Sequence, residues 1–261
     1  MSNTLHFTDR AAEQLLAAYV TPDVVAQRQK VLDILQLQAG QKVLDIGSGP
    51  GYLASEMAMI VGPQGEVHGV DISEQLIALA RRKYTGQPQL KFHAANARSL
   101  PFPDEYFDVV VVTQVLEYLA DVGAALSECR RVLRPGGKVL VLDTDWDSIV
   151  WHSSNPALMK KVLRVWDEHL VDPYLPRTLI PKLSAAGLNP EYQTIIPLFN
   201  PRFSEDTFSH RMIDLIGSFV RGREGIAPHE VDEWAEGLRR EGQQGSYFFS
   251  LNRYVFVAVK T

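Results

Sequence analysis

A glycine-rich segment, Val43-Leu44-Asp45-Ile46-Gly47-Ser48-Gly49-Pro50-Gly51, limits most strongly what this chain can fold into. An apolar run that ends in such a turn and leads into a helix predicts a buried strand, a tight turn and a close approach of ligand to backbone. Helix N-termini there usually bind phosphate, but Asp45 would repel an anion. No Lys-Ser or Lys-Thr pair follows the glycines, so this is not a nucleotide-phosphate loop. The carboxylate of Asp45 favours binding of an ammonium group at this turn instead. The other interpretation is that the glycines only pack a helix on a sheet.

Strand and helix patterns alternate through the first half of the chain, which predicts a parallel sheet covered by helices on both faces. The predicted strands are 42–46, 66–71, 90–93, 107–113 and 138–143. Ser73 is predicted to cap a helix that runs to about Tyr84, and Asp121 a helix that ends at Leu133. Ligands bind such sheets at the carboxyl ends of the strands. The second half is looser, with predicted helices at 155–170, 179–186, 203–220 and 229–241 and strands at 191–199 and 245–259. Residues 11–36 read as two helices separated by Thr21-Pro22-Asp23.

Composition excludes several classes of function. The chain has 26 Lys and Arg against 31 Asp and Glu, so no basic field is available for a nucleic acid. The single cysteine, Cys129, forms no internal disulfide and no cysteine-rich metal site, as expected in a reducing compartment. The N-terminus does not read as a signal peptide, and the apolar runs are too short to span a bilayer. We therefore expect a cytoplasmic protein without a membrane or nucleic-acid partner.

An acid, Asp71, ends the second predicted strand about 20 residues after the turn, where a carboxylate characteristically binds ribose hydroxyls. Four motifs follow one another: VLDIGSGPG (43–51), VHGVDIS (67–73), ANARSLPFPDEYFDVVVV (95–112) and RVLRPGGKVLVLD (131–143). In this order they resemble the class I S-adenosylmethionine-dependent methyltransferases, in particular the small-molecule branch with the quinone- and sterol-methylating enzymes.

The resemblance implies an α/β fold with a doubly wound, seven-stranded, mostly parallel sheet, its last strand antiparallel, and a helical cap. We predict one domain over 1–261. Residues 1–36 would form an N-terminal helical cap, 37–150 the cofactor-binding core, and 151–261 the rest of the sheet with helical insertions that form a lid over the acceptor.

The resemblance also implies S-adenosyl-L-methionine as cofactor and S-adenosyl-L-homocysteine as product. Asp45, Gly47, Ser48 and Gly49 would line the methionine and ribose part, and Asp71 would hold the ribose. Ile72 would pack on adenine, the Asn96 side-chain oxygen would accept from the adenine amine in place of the usual acid, and the Ala97 N–H would meet the ring. Thr113 and Gln114 would contact the methionine moiety. Arg28 would bind the cofactor carboxylate or be an ordinary solvated helix residue.

The acceptor side carries no fixed signature, because methyl transfer from a sulfonium needs positioning and desolvation and only sometimes a base. Tyr118, Trp146 and Trp151 are the candidate pocket residues, and the aromatic character favours a flat or apolar acceptor. His152 is the first candidate base and Tyr118 the second, although a histidine is more often a surface or core residue. His169 is expected at the far end of its helix. No spacing indicates a metal site.

Two classes of function remain. One is a methyltransferase acting on a small organic metabolite at O, N or C, as a monomer or homodimer. The other is a non-catalytic cofactor-binding protein of the same fold. Methylation of RNA or protein is less favoured, because no basic, aromatic-interleaved surface is present.

Overall fold

The structure, a computed structural model, describes residues 16–261, so the first part of the predicted N-terminal cap lies outside the described residues. Eight strands are present: β1 Lys42–Ile46, β2 Glu66–Asp71, β3 Leu90–Ala94, β4 Phe107–Thr113, β5 Leu133–Thr144, β6 Val150–Trp151, β7 Leu188–Asn200 and β8 Phe249–Lys260. The helices are α1 Pro22–Leu35, α2 Tyr52–Val61, α3 Glu74–Lys83, α4 Val122–Val132, α5 Pro156–Trp166, α6 Leu179–Ala185, α7 Phe208–Val220 and α8 Pro228–Gln244.

The strands form one sheet in the order β3-β2-β1-β4-β5-β8-β6, with β7 also paired to β8. The four pairings that join β3, β2, β1, β4 and β5 are all parallel. The predicted mostly parallel sheet of the doubly wound methyltransferase fold is confirmed. The eighth strand is the two-residue β6, which pairs antiparallel with β8 and which the sequence did not indicate.

Contacts divide the described residues into two compact units. The major unit comprises Lys30–Thr144, Tyr174–Ile195 and Tyr254–Thr261. The minor unit comprises 16–29, Asp145–Pro173 and Ile196–Arg253. The predicted arrangement of one domain into cap, core and lid stays a prediction.

Helix starts follow local hydrogen bonds that the sequence indicates. Ser73 accepts from the Leu76 N–H at 3.3 Å, Asp121 from Ala124 at 2.9 Å, and Asn155 from Leu158 at 3.1 Å. Each satisfies an N–H that has no partner within the helix. The helix predicted from residue 203 begins only at Phe208, because Thr207 accepts from the His210 N–H and ends the preceding loop there.

The start of β5 corrects a second prediction. We expected the preceding helix to run to Leu133 and the strand to begin at 138. Instead Leu133 is extended and fully buried, and it pairs with Phe107 ahead of a register shift in β4. Burial of the Leu133 side chain therefore starts strand β5 before Gly136-Gly137 rather than after it.

The core of the major unit lies on the faces of β1, β4 and β5. Every residue of β4 from 109 to 112 is at most 1 % exposed, as expected for a central strand covered on both faces. Cys129 is buried in the same cluster, on α4. This packing holds the carboxyl ends of β1, β2, β4 and β5 in fixed positions along one edge.

Candidate functional site

The glycine turn lies between β1 and α2 in the major unit. The N–H groups of Gly47 and Ser48 donate to the Val70 carbonyl at 2.8 and 2.9 Å, so the turn is tied to β2. Gly47 has a φ of 74° and Gly49 of 52°, a region that side chains other than glycine rarely adopt. At Gly47 space is limiting as well: a Cβ there would lie 2.0 Å from the Val115 Cγ2. The turn thus has a fixed shape with bare backbone on its surface.

Replacing Gly47 by Ala is expected to weaken ligand binding at the turn, because the new methyl group must displace Val115 and the backbone must leave its positive φ. Gly40→Ala is the matched control. Gly40 also has a positive φ, 83°, but a Cβ there meets nothing within 4 Å. Isothermal titration with S-adenosylhomocysteine and a thermal melt should show a loss of affinity in G47A beyond the shared cost of the positive φ. Equal affinities in the two variants would contradict the packing argument.

Asp71, at the end of β2, shapes the other side of the turn. One of its carboxylate oxygens accepts from the Gly49 N–H at 2.9 Å and the other from the Ser73 N–H at 2.8 Å. Burial raises the pKa of Asp71, and the hydrogen bonds from Ser73 and Gly49 oppose the rise. Each oxygen has a second lone pair, so the carboxylate can still accept two hydroxyl groups of a diol.

Asp45 is the most unusual group of the site. Its side chain is 1 % exposed, and neither oxygen has a hydrogen-bond partner of good geometry among the described residues. Burial, followed by the negative charge of Asp71, raises the pKa of Asp45 to about 8, and a weak interaction with the Ala54 N–H opposes the rise. A buried carboxyl group without a partner is costly unless a ligand supplies one. Donors on a cationic ligand would satisfy both oxygens, and the ammonium of a methionine moiety fits that requirement.

The residues predicted for adenine lie after β2 and β3 of the major unit. Ile72 is 76 % exposed, so an apolar side chain stands open next to the turn. The Asn96 side-chain oxygen accepts from the Arg98 N–H at 2.9 Å and keeps one lone pair, whereas Ala97 is buried. Ser48 adds a buried hydroxyl with no hydrogen-bond partner among residues 16–261. These features fit an adenosine, and the individual contacts stay predictions.

Thr113 ends β4, and Gln114 and Tyr118 follow it at the same edge of the sheet. Gln114 adopts a φ of 57°, and Tyr118 closes a 3₁₀ turn over Leu116–Tyr118. Sequence reasoning did not select two buried acids here, Glu117 at 1 % and Asp143 at 0 % exposure. The sequence did contain an indication of Asp143, because this residue is an acid at the end of an apolar strand, as Asp71 is.

Four predicted site residues belong to the minor unit. The Arg28 guanidinium donates to the Tyr19 carbonyl at 2.6 Å. Trp151 packs edge-on against Phe249 and Trp234, as a core residue does. Trp146 is also buried. The half-exposed His152 lies 3.7 Å from the Glu241 carboxylate.

His169 lies at the far end of its helix, as expected, and packs against two tryptophan rings. It lies in a 3₁₀ turn directly after α5, where its ring stacks on Trp166 at 3.8 Å and contacts Trp146 edge-on at 5.3 Å. It is therefore buried among aromatic rings, and burial lowers its pKa to about 4.

Among residues 16–261, no group of three or more His, Cys, Asp or Glu side chains is arranged to hold a metal ion. Within the same residues, every helix is too short or too polar to cross a bilayer.

The parallel sheet, the bare glycine turn and the two acids at the ends of β1 and β2 define the class of Rossmann-like methyltransferase folds. Residues 44–141 match the model of a methyltransferase domain family. The match and the fold together support placing this domain with the class I S-adenosylmethionine-dependent methyltransferases.

Several individual proteins are similar to this chain. The chain is 30% identical over 236 residues to an uncharacterized 37.1 kDa protein in transposon TN4556 of Streptomyces fradiae, covering 88% of this chain and 66% of the relative. It is 44% identical over 117 residues to the ubiquinone/menaquinone biosynthesis C-methyltransferase UbiE of Cupriavidus metallidurans, covering 44% of this chain and 48% of that enzyme. The alignment thus spans about half the length of the UbiE protein. The fold matches the phosphoethanolamine N-methyltransferase 2 of Haemonchus contortus, solved with S-adenosyl-L-methionine, with a TM-score of 0.64 at 20% identity over 100% of this chain and 60% of that one.

Proposed function

We propose that this protein transfers a methyl group from S-adenosyl-L-methionine to a small organic acceptor and releases S-adenosyl-L-homocysteine. The observation that carries the proposal is Asp45, a buried carboxyl group with no hydrogen-bond partner of good geometry among the described residues, beside a turn of bare backbone. An acid whose ionised form a cationic ligand would stabilise, together with a second acid suited to a diol, fits both ends of this cofactor.

In the proposed reaction the cofactor supplies an electrophilic methyl group on a positively charged sulfur. The acceptor's electron pair forms the new bond to the methyl carbon as the carbon–sulfur bond breaks, and the sulfur becomes a neutral thioether. The residues of the chain contribute orientation: Asp45 binds the ammonium, Asp71 holds the ribose hydroxyls, and the turn fixes the distance between them. Holding the reactants in line is the main source of rate in such a displacement.

The acceptor is proposed as an apolar or aromatic metabolite. The UbiE relatives are named as C-methyltransferases of ubiquinone/menaquinone biosynthesis. A quinol-type compound is therefore the first acceptor to test. Methyl-labelled cofactor should transfer its label to such a compound or to one component of a metabolite extract. Tight binding of cofactor without transfer to any component would favour a non-catalytic protein of this fold.

The base is proposed from the sequence and has its own test. If a base removes a proton from the acceptor, His152→Ala or Tyr118→Phe should lower turnover by about 10²–10⁴-fold, the usual contribution of general-base catalysis. The kcat of both variants should be measured at saturating cofactor and acceptor. Full turnover in both would mean that positioning alone is sufficient. Trp146→Ala and Trp151→Ala should raise the KM for the acceptor if these rings contact it.

We further propose that the protein works in the cytoplasm as a monomer or homodimer. Its one cysteine, Cys129, is a buried free thiol, as expected where thiols stay reduced. Light scattering after gel filtration would determine the oligomeric state.

A further inference from the structure

The ends of β4 and β5 are joined by four hydrogen bonds in the major unit. The Gln114 N–H donates to the Leu142 carbonyl at 2.7 Å, and the Gln114 side-chain amide donates to the Thr144 hydroxyl at 2.7 Å. In the same place the Val115 N–H donates to Asp143 at 3.1 Å, and the Thr144 N–H donates to Glu117 at 3.3 Å. Donors and acceptors thus run in both directions between the two strand ends. We call Gln114, Val115, Glu117, Asp143 and Thr144 the strand-end clasp.

The clasp includes a backbone that is unfavourable by itself. Gln114 has a φ of 57°, which costs free energy in a residue with a side chain and persists only where the surroundings enforce it. Two buried acids supply acceptors here: Asp143 accepts from the Val115 N–H that directly follows this conformation, and Glu117 accepts from the Thr144 N–H across the strand ends. Carboxylates accept such bonds more strongly than neutral groups do.

The clasp leads directly to the glycine turn through Val115. The Val115 Cγ2 occupies the space into which a Cβ on Gly47 would point, so its methyl group packs on the bare Cα of the turn. Asp143 holds the backbone N–H of the same residue. The position of that methyl group, and with it the support under Gly47, therefore depends on a carboxylate at the end of β5.

We propose that Asp143 and Glu117 are positioning residues for the cofactor: they hold the loop after β4 so that Val115 supports the glycine turn in its binding shape. The inference rests on the proposed function, because it takes the turn as the place where the cofactor lies. Neither acid needs to touch the cofactor for this role.

The test compares Asp143→Ala with Asp143→Asn in the full chain. The alanine removes the acceptor for the Val115 N–H, and loss of one buried hydrogen bond of this kind is expected to weaken S-adenosylhomocysteine binding about tenfold in isothermal titration. Asparagine keeps a side-chain oxygen in the same position, so its affinity should stay within about twofold of the wild type. Val115→Ala leaves the hydrogen bonds intact but removes the methyl support, and it should weaken binding as Asp143→Ala does.

Asp108→Ala is the matched control. Asp108 lies at the start of β4, where its carboxylate accepts from the Lys42 N–H at 2.6 Å and pairs with Arg134. Its loss should lower the melting temperature without changing the affinity. Equal weakening in the Asp108 and Asp143 alanine variants, or failure of asparagine to restore binding, would overturn the positioning role. So would unchanged binding in Asp143→Ala and Val115→Ala. If the wild type itself bound no S-adenosylhomocysteine, the proposed function would fail first, and the positioning role with it.

Discussion

Replacing Asp45 by Asn is expected to make the ligand-free protein more stable above pH 7 and to flatten the pH dependence of its unfolding free energy. Burial raises the pKa of this carboxyl group from 3.8 to about 8, so the folded state keeps a proton that the unfolded state loses. A group of this kind lowers the unfolding free energy by about 1.4 kcal/mol for each pH unit between about 4 and 8. The neutral asparagine contributes no such loss.

Urea denaturation of wild type and Asp45→Asn at pH 5, 6, 7 and 8 would measure the effect. The two unfolding free energies should separate progressively as the pH rises, with the variant the more stable at pH 8. Asp206→Asn, which removes an exposed carboxylate, controls for the change in net charge. Parallel curves for wild type and Asp45→Asn would show that Asp45 is not a buried acid without a partner.

Asp71→Ala is expected to cause the largest loss of cofactor affinity of any single substitution in the major unit. It removes two charge-assisted hydrogen bonds to the ribose, at roughly 1.5–3 kcal/mol each, which corresponds to a decrease on the order of a hundredfold or more. The structure adds a second cost, since the N–H groups of Gly49 and Ser73 also lose their acceptor. Asp71→Asn should be intermediate, because one oxygen survives while the new amide faces an N–H donor.

Titration with S-adenosylhomocysteine, combined with thermal melts, would separate the two costs of Asp71→Ala. Ser73→Ala is the matched control, since it removes only the cap on the Leu76 N–H, worth about 1 kcal/mol of stability. Its melting temperature should fall while its affinity stays near that of the wild type. Unchanged affinity in Asp71→Ala would remove the ribose assignment.

Features that depend on neighbours in the chain were predicted well. Strand β4 was placed at its observed bounds because four consecutive valines are typical of a strand buried on both faces. The caps at Ser73 and Asp121 were correct, since each side chain reaches an N–H three residues ahead. The glycine turn was identified because the conformational preference of glycine is a property of the residue itself and does not depend on distant parts of the chain.

Features that depend on residues distant in sequence were not predictable from the chain alone. The absence of a partner for Asp45 among the described residues depends on what β2, β4 and α2 place around it. The clasp joins residues near 115 to residues near 143, and the ring of His169 contacts that of Trp146, more than 20 residues earlier in the chain.

The sequence by itself determined the order of strands and helices, the glycine turn and the two acids at the ends of β1 and β2, because periodicity and short-range hydrogen bonds are local. Only the tertiary structure decided which of these acids has no hydrogen-bond partner of good geometry among the described residues and which is held by backbone N–H groups. The physical reason is that desolvation and hydrogen bonding of a side chain depend on atoms that packing brings to it from other elements.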